Sequence, residues 1–133
     1  MGILPRGETS DRTYTGSGDL SSSQFHIVKL SAAETVAICG AGEKCRGVLK
    51  NAPADGGQAS VVTRGEAPVY VDATTAILIG DRIASAASGV GVKIAATAAA
   101  QCEYLGIAME AKASGTGTII VDINPGVQTN PAA

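Results

Sequence analysis

The chain has 133 residues, 10 Lys plus Arg against 12 Asp plus Glu, and a formal charge of −2, a length that suits one domain with tails. Its basic residues are dispersed, which removes the electrostatic footprint of a face that wraps nucleic acid, and no apolar run approaches the roughly 20 residues of a membrane span. The N-terminus, MGILPRGETSDR, lacks the charged start and apolar centre of a secretion signal, so synthesis in the cytoplasm is expected.

Residues 1–24 are small and polar, without a strand or helix period long enough to fold alone, and read as an extended arm. Its candidate anchors on a partner surface are Ile3, Leu4, Pro5 and Tyr14. Order is expected to begin at Gln24, with the alternating FHIVKL (25–30) as a first strand and TVAICG (35–40) as a second. A hairpin follows, with strands near 45–51 and 59–64 and the loop NAPADGGQ, where Pro53 and Gly56-Gly57 prevent regular structure. APVYVD (67–72) reads as a separate strand. The short run Ile77-Leu78-Ile79 fits either a strand or a helical turn, and Gly80-Asp81 reads as a turn before a strand at Arg82. SGVGVKIAA (88–96) is a Gly-opened strand, and ATAAAQ (96–101) is too short to hold a helix unaided, so it reads as a loop or one helical turn. A second hairpin takes 103–110 and 117–123, and Pro125-Gly126 ends the fold.

The two hairpins are one design used twice. Shifted by 59 residues without a gap, Gly47 falls on Gly106, Val48 on Ile107, Ala52 on Ala111, Gly56 on Gly115, Val61 on Ile120 and Val62 on Val121. Each copy is an apolar strand, a small-residue loop closed by Gly, and a β-branched strand. The expected architecture is all-β: a small barrel or sandwich of about eight or nine short strands, with the arm at 1–24, the β domain at 25–124 and a tail at 125–133. Its core must be aliphatic, since the chain has 11 Val, 11 Ile and 6 Leu but one Phe, three Tyr and no Trp. A thin core of this kind gains from burying more surface on a partner, which predicts an assembled working form.

No arrangement of residues carries chemistry. The single His26 lies in a predicted strand, and no GxSxG elbow presents a serine to it. The carboxylates are scattered, and neither GxGxxG nor GxxxxGK[ST] occurs. Cys39, Cys45 and Cys102 form no CxxC pair and read as reduced thiols used as small apolar residues. Three scattered Cys and one His do not supply a metal site. Catalytic residues, cofactor and metal are therefore all expected to be absent.

The order DLSSSQFHIVKL (19–30), VAICGAGEKCRGVLKNAPADGGQASVV (36–62), ILIGDRIASAASGVGVKIA (77–95) and YLGIAMEAKASGTGTIIVDINPG (104–126) resembles the capsid decoration, or cement, proteins of tailed bacteriophages. The resemblance implies a small β-barrel or β-tulip domain on the outside of an icosahedral head, bound to the major capsid protein. It further implies a homo-oligomer, commonly a trimer, whose N-terminal arms lie across neighbouring capsid subunits and hold the shell against packaged DNA. On that reading the capsid contacts are Ile3, Leu4, Pro5, Arg6, Tyr14 and Leu20 of the arm, with Phe25 and His26 where the fold begins. Arg6 and either Asp11 or Arg12 would pair across the contact. An alternative is a particle-surface adhesin or carbohydrate-binding module using loops 51–58 and 111–117, although those loops carry no aromatic side chain to stack on a sugar.

Overall fold

The computed structural model describes residues 9–94 and 101–129. Nine strands carry it: β1 (Ser10–Gly16), β2 (Ile27–Ala32), β3 (Thr35–Ile38), β4 (Gly47–Leu49), β5 (Gln58–Asp72), β6 (Arg82–Ser85), β7 (Gly91–Lys93), β8 (Gln101–Ala108) and β9 (Thr116–Thr129). The one helical element among the described residues is a 3-10 turn at Ala87–Gly89. The all-β expectation holds, and the pairings go further. In the order β1-β3-β2-β4-β5 the first strand also pairs with the last, which closes a five-stranded ring. The order β5-β7-β6-β8-β9 closes in the same way through β5 and β9. Two barrels therefore share one 15-residue strand, whose N-terminal half serves the first and C-terminal half the second.

The repeated hairpin is the legible part of a duplication that spans the whole fold. Gly16 pairs with Val36 and Val71 with Gly91, both partners displaced by 55 residues. Val28 pairs with Gly47 and Ile83 with Gly106, displaced by 55 and 59. Leu49 pairs with Val61 and Ala108 with Val121, displaced by 59 and 60, so past the loop the gapless alignment slips by one residue. Val61 and Val62 correspond to Val121 and Asp122 rather than to Ile120 and Val121. Corresponding strands thus make corresponding pairs, parallel where the first barrel is parallel and antiparallel elsewhere. Equivalent positions fill both interiors: Tyr14, Leu20, Val28, Leu49 and Ala59 in the first, Val69, Ile77, Ile83, Ala108 and Ile119 in the second. Size is exchanged between neighbours. Leu49 and Ala59 become Ala108 and Ile119, and the Gly16–Val36 pair becomes Val71–Gly91, so each barrel keeps its volume while its residues differ.

The barrels are welded by an apolar layer. Val28, Leu49 and Val61 point into the first barrel, whereas their neighbours Ile27, Val48 and Val62 point out and join the core cluster of the second. Strict alternation fails here because both faces of these strands are covered.

Phe25 and His26 lie before β2 rather than in the strand expected at 25–30, and Ser88 and Gly89 belong to the 3-10 turn before β7. Three further boundaries differ from the sequence reading. Order begins at β1, inside the expected arm: Ser10–Gly16 runs antiparallel to β5, with Thr13 opposite Ser60. Its inward positions are Tyr14 and Gly16, so one large side chain was the whole apolar signal. The separate strands at 59–64 and 67–72 are one strand, because Gly65, at φ 104, bends β5 without breaking its pairing. Finally, β9 continues through Pro125-Gly126 to Thr129. Pro125 can sit there because the β8–β9 register shifts between Tyr104 and Gly106, which leaves Pro125 without a registered partner for its missing N–H. Of the 96–101 stretch, Gln101 opens β8 and the remainder lies outside the described residues.

Candidate functional site

The expected contact residues fall into three groups. Ile3, Leu4, Pro5 and Arg6 lie outside the described residues. Tyr14 and Leu20 face inward at 5% and 1% exposure, so neither offers an apolar anchor to a partner. The Tyr14 hydroxyl accepts a hydrogen bond from Arg46 Nε at 2.7 Å, and the guanidiniums of Arg12 and Arg46 each lie 5.8 Å from its ring centre. Leu20 N–H donates to the Pro53 carbonyl at 3.0 Å, plugging the end of the first barrel. Asp11 pairs with Lys50 Nζ at 2.9 Å, and chiefly this hydrogen bond holds its carboxyl below the ordinary carboxylate range.

Phe25 and His26 are half-buried at the seam between barrels. Phe25 has a left-handed backbone, φ 68, and its N–H donates to Leu49 O at 2.7 Å while its carbonyl accepts from Tyr70 N at 2.9 Å. The equivalent position in the second barrel is Gly80, φ 94, whose N–H donates to Ala108 O at 2.8 Å. An aromatic residue thus stands where the duplicate uses the residue that tolerates this conformation, a strain of order 1–3 kcal/mol. The compensation is its side chain, which packs on the larger core cluster. The His26 ring stacks on Tyr70, centroids 5.0 Å apart and planes within 4°, and its Nδ1–H is directed at Ser88 O at 2.9 Å. Both side chains serve the weld.

Cys39 and Cys45 are buried, as small apolar residues should be, but they are not isolated. Their Sγ atoms lie 3.6 and 3.8 Å from the same acceptor, the Glu43 carbonyl. A hydrogen bond from Cys45 draws the Cys39 thiol down to about 7, and giving that bond pushes Cys45 up. Cys45 lines a surface cleft of about 440 Å³ with Lys44, Arg46 and Arg64. Among the described residues, no group of three or more His, Cys, Asp or Glu side chains is placed to hold a metal ion.

Apart from Leu30 on β2, 51% exposed, the large exposed apolar side chains among the described residues lie on the second barrel. Leu78 is 59% and Ile79 71% exposed, with Met109 and Ile107 at 39% and 38%. The turn that presents the first two is rigid. Ile77 and Lys112 exchange backbone hydrogen bonds at 2.9 Å, Asp81 Oδ2 accepts from Leu78 N at 2.7 Å, and Gly80 N and Ala108 N close onto β8 and the turn at 2.8 Å. In the sequence 77–79 is an ambiguous apolar run; that only Ile77 turns inward depends on its bridge to Lys112. The two loops of the adhesin alternative lie at opposite ends of β5, since Gln58 pairs with Thr15 and Asp72 with Thr116, and so do not line one site.

No curated protein matches the chain. Among solved structures, the head fiber gp8.5 N base of bacteriophage phi29 is similar, with a TM-score of 0.60 over 95% of this chain and 100% of that one. At 13% identity the likeness is one of fold. A family model described as phage cement protein matches residues 4–123, which takes in the first barrel and most of the second. A match of that extent over a double barrel of this build places the chain in the phage cement protein family.

Proposed function

We propose that this protein binds the outer surface of a phage head and stabilises the major capsid lattice against internal DNA pressure. The observation that supports this best is β5. A continuous strand common to two closed barrels, with an apolar layer welding them, makes one stiff body rather than two beads on a linker. A clamp between neighbouring shell subunits needs such a body, because a hinge between its footholds would let the subunits separate. The eight residues before Thr9 add reach: fully extended they span at most roughly 29 Å. Ile3, Leu4, Pro5 and Arg6 are the proposed arm contacts, and a homo-oligomer, with the trimer favoured, is part of the same reading.

The test uses heads lacking the protein. Added back, it should bind in a fixed number of copies per head and raise the temperature at which heads release DNA. Heads equally sturdy with and without bound protein would refute the stabilising role. Deletion of residues 2–8 tests the arm, and full occupancy by the shortened chain would remove the arm from the contact.

A further inference from the structure

We propose that the end of the second barrel, the rigid Leu78–Ile79 turn with Met109 beside it, is the face that seats on the major capsid protein; this rests on the head-binding reading above. The fold does not require these side chains. Leu20 N–H bonds Pro53 O in the first barrel just as Ile77 N–H bonds Lys112 O in the second, and His26 N–H bonds Ser23 O just as Asp81 N–H bonds Leu78 O. Leu78 and Ile79 therefore correspond to Ser23 and Gln24, with Ser21 and Ser22 extra in the first turn. The first turn, Ser21 to Gln24, is polar throughout; the second is Leu78-Ile79 alone. Equivalent turns at equivalent ends thus differ in length by two residues and in character: the longer is polar and the shorter carries two exposed aliphatic side chains. Exposed apolar groups that a duplicate does without mark an interaction site.

The geometry also favours a shell over a second copy. From their exposures, Leu78, Ile79 and Met109 together offer roughly 300 Å² of apolar surface, less than half of what each partner contributes to a standard stable interface. A contact of that size is weak alone and sufficient when a lattice offers it many times over. Nor does the second barrel invite a copy to stack on it as it covers the first. The outward positions held by Ile27, Val48 and Val62 in the first barrel are Arg82, Ile107 and Asp122 in the second, so stacking would bury two charged residues. At the turn itself, Asp81 is already satisfied by Leu78 N–H and by Lys93 at 3.5 Å, which leaves that carboxylate in place when the face is covered. The turn is pre-ordered by its backbone staples, so seating it costs little chain entropy.

The double variant Leu78→Ser/Ile79→Gln gives the second barrel the residues of the first. Wild type and variant are titrated onto undecorated heads, bound copies are counted after sedimentation, and melting and sedimentation velocity are recorded for both free proteins. The expected result is a loss of affinity of roughly tenfold or more, with melting and oligomeric state unchanged. A variant that binds heads like wild type overturns the assignment of this face while leaving the head-binding reading intact. A variant that loses self-association instead assigns the face to a second copy and overturns the proposal. Wild type that binds no heads ends the head-binding reading and the proposal with it.

Discussion

Four glycines of the duplicated hairpins divide into two mechanisms, and alanine substitution separates them. A Cβ on Gly106 would overlap the Asp122 carbonyl oxygen and stand 2.8 Å from its carbon and 3.1 Å from Ile123 Cα; on Gly47 it would overlap the Val62 carbonyl oxygen and stand 2.9 Å from Val61 Cγ1. Both obstacles are partner-strand atoms in closed barrels, so relief means moving one strand off another. For Gly106→Ala that disrupts the pairs Gly106↔Ile123 and Ile107↔Asp122. Two or three backbone hydrogen bonds at about 0.5–1.5 kcal/mol each, with some loss of packing, give an expected cost of about 2–4 kcal/mol. Gly56 and Gly115 stand one repeat apart at φ 80 and φ 77, and an added Cβ there meets nothing within 4 Å. Alanine at these positions meets only the left-handed penalty of about 1–2 kcal/mol, partly offset by a stiffer unfolded chain, for a net cost of about 0.5–1 kcal/mol. Urea unfolding of the four single variants reads all these values on one scale. A Gly106→Ala variant no less stable than Gly115→Ala would refute the close-approach argument.

The shared strand should make unfolding a single event, so calorimetry is expected to show one transition with equal calorimetric and van't Hoff enthalpies; two resolved transitions would mean that the barrels are independent. Tyr14→Phe removes the bond to Arg46 and should cost about 1 kcal/mol, whereas head binding, measured at a temperature where the variant is folded, should not change. The Asp11 carboxyl has a folded value below its ordinary 3.8, so its tie to Lys50 stabilises above that pH and is lost as pH falls through the folded value. Asp11→Asn should therefore flatten the acid limb of the stability curve below about pH 4, modestly because the pair is largely exposed. Peroxide should join Cys39 to Cys45 within one chain, two thiols and one peroxide giving the disulfide and two waters, read as a loss of about 2 Da that Cys39→Ser abolishes; mass mapping that finds either thiol paired elsewhere refutes it.

Local order was written in the sequence. The β-branched runs, the Gly-closed loops and the offset between Gly47 and Gly106 specify two hairpins, because turn chemistry and alternation act over a few residues. The resemblance to cement proteins also rested on such stretches, and the family match over residues 4–123 agrees with it. What depended on pairing across the chain was not legible. Strand β1 has only Tyr14 as a large inward side chain and exists because β5 offers it an edge. The union of 59–64 with 67–72 turns on Gly65 bending a strand rather than ending it. Likewise Ile77, Leu78 and Ile79 read alike as apolar residues, and only the bridge to Lys112 decides which is core and which is surface. Local preferences of backbone and side chains are set by neighbouring residues and so by the sequence alone; the tertiary structure decided which faces were covered, since burial is set by strands distant in the chain.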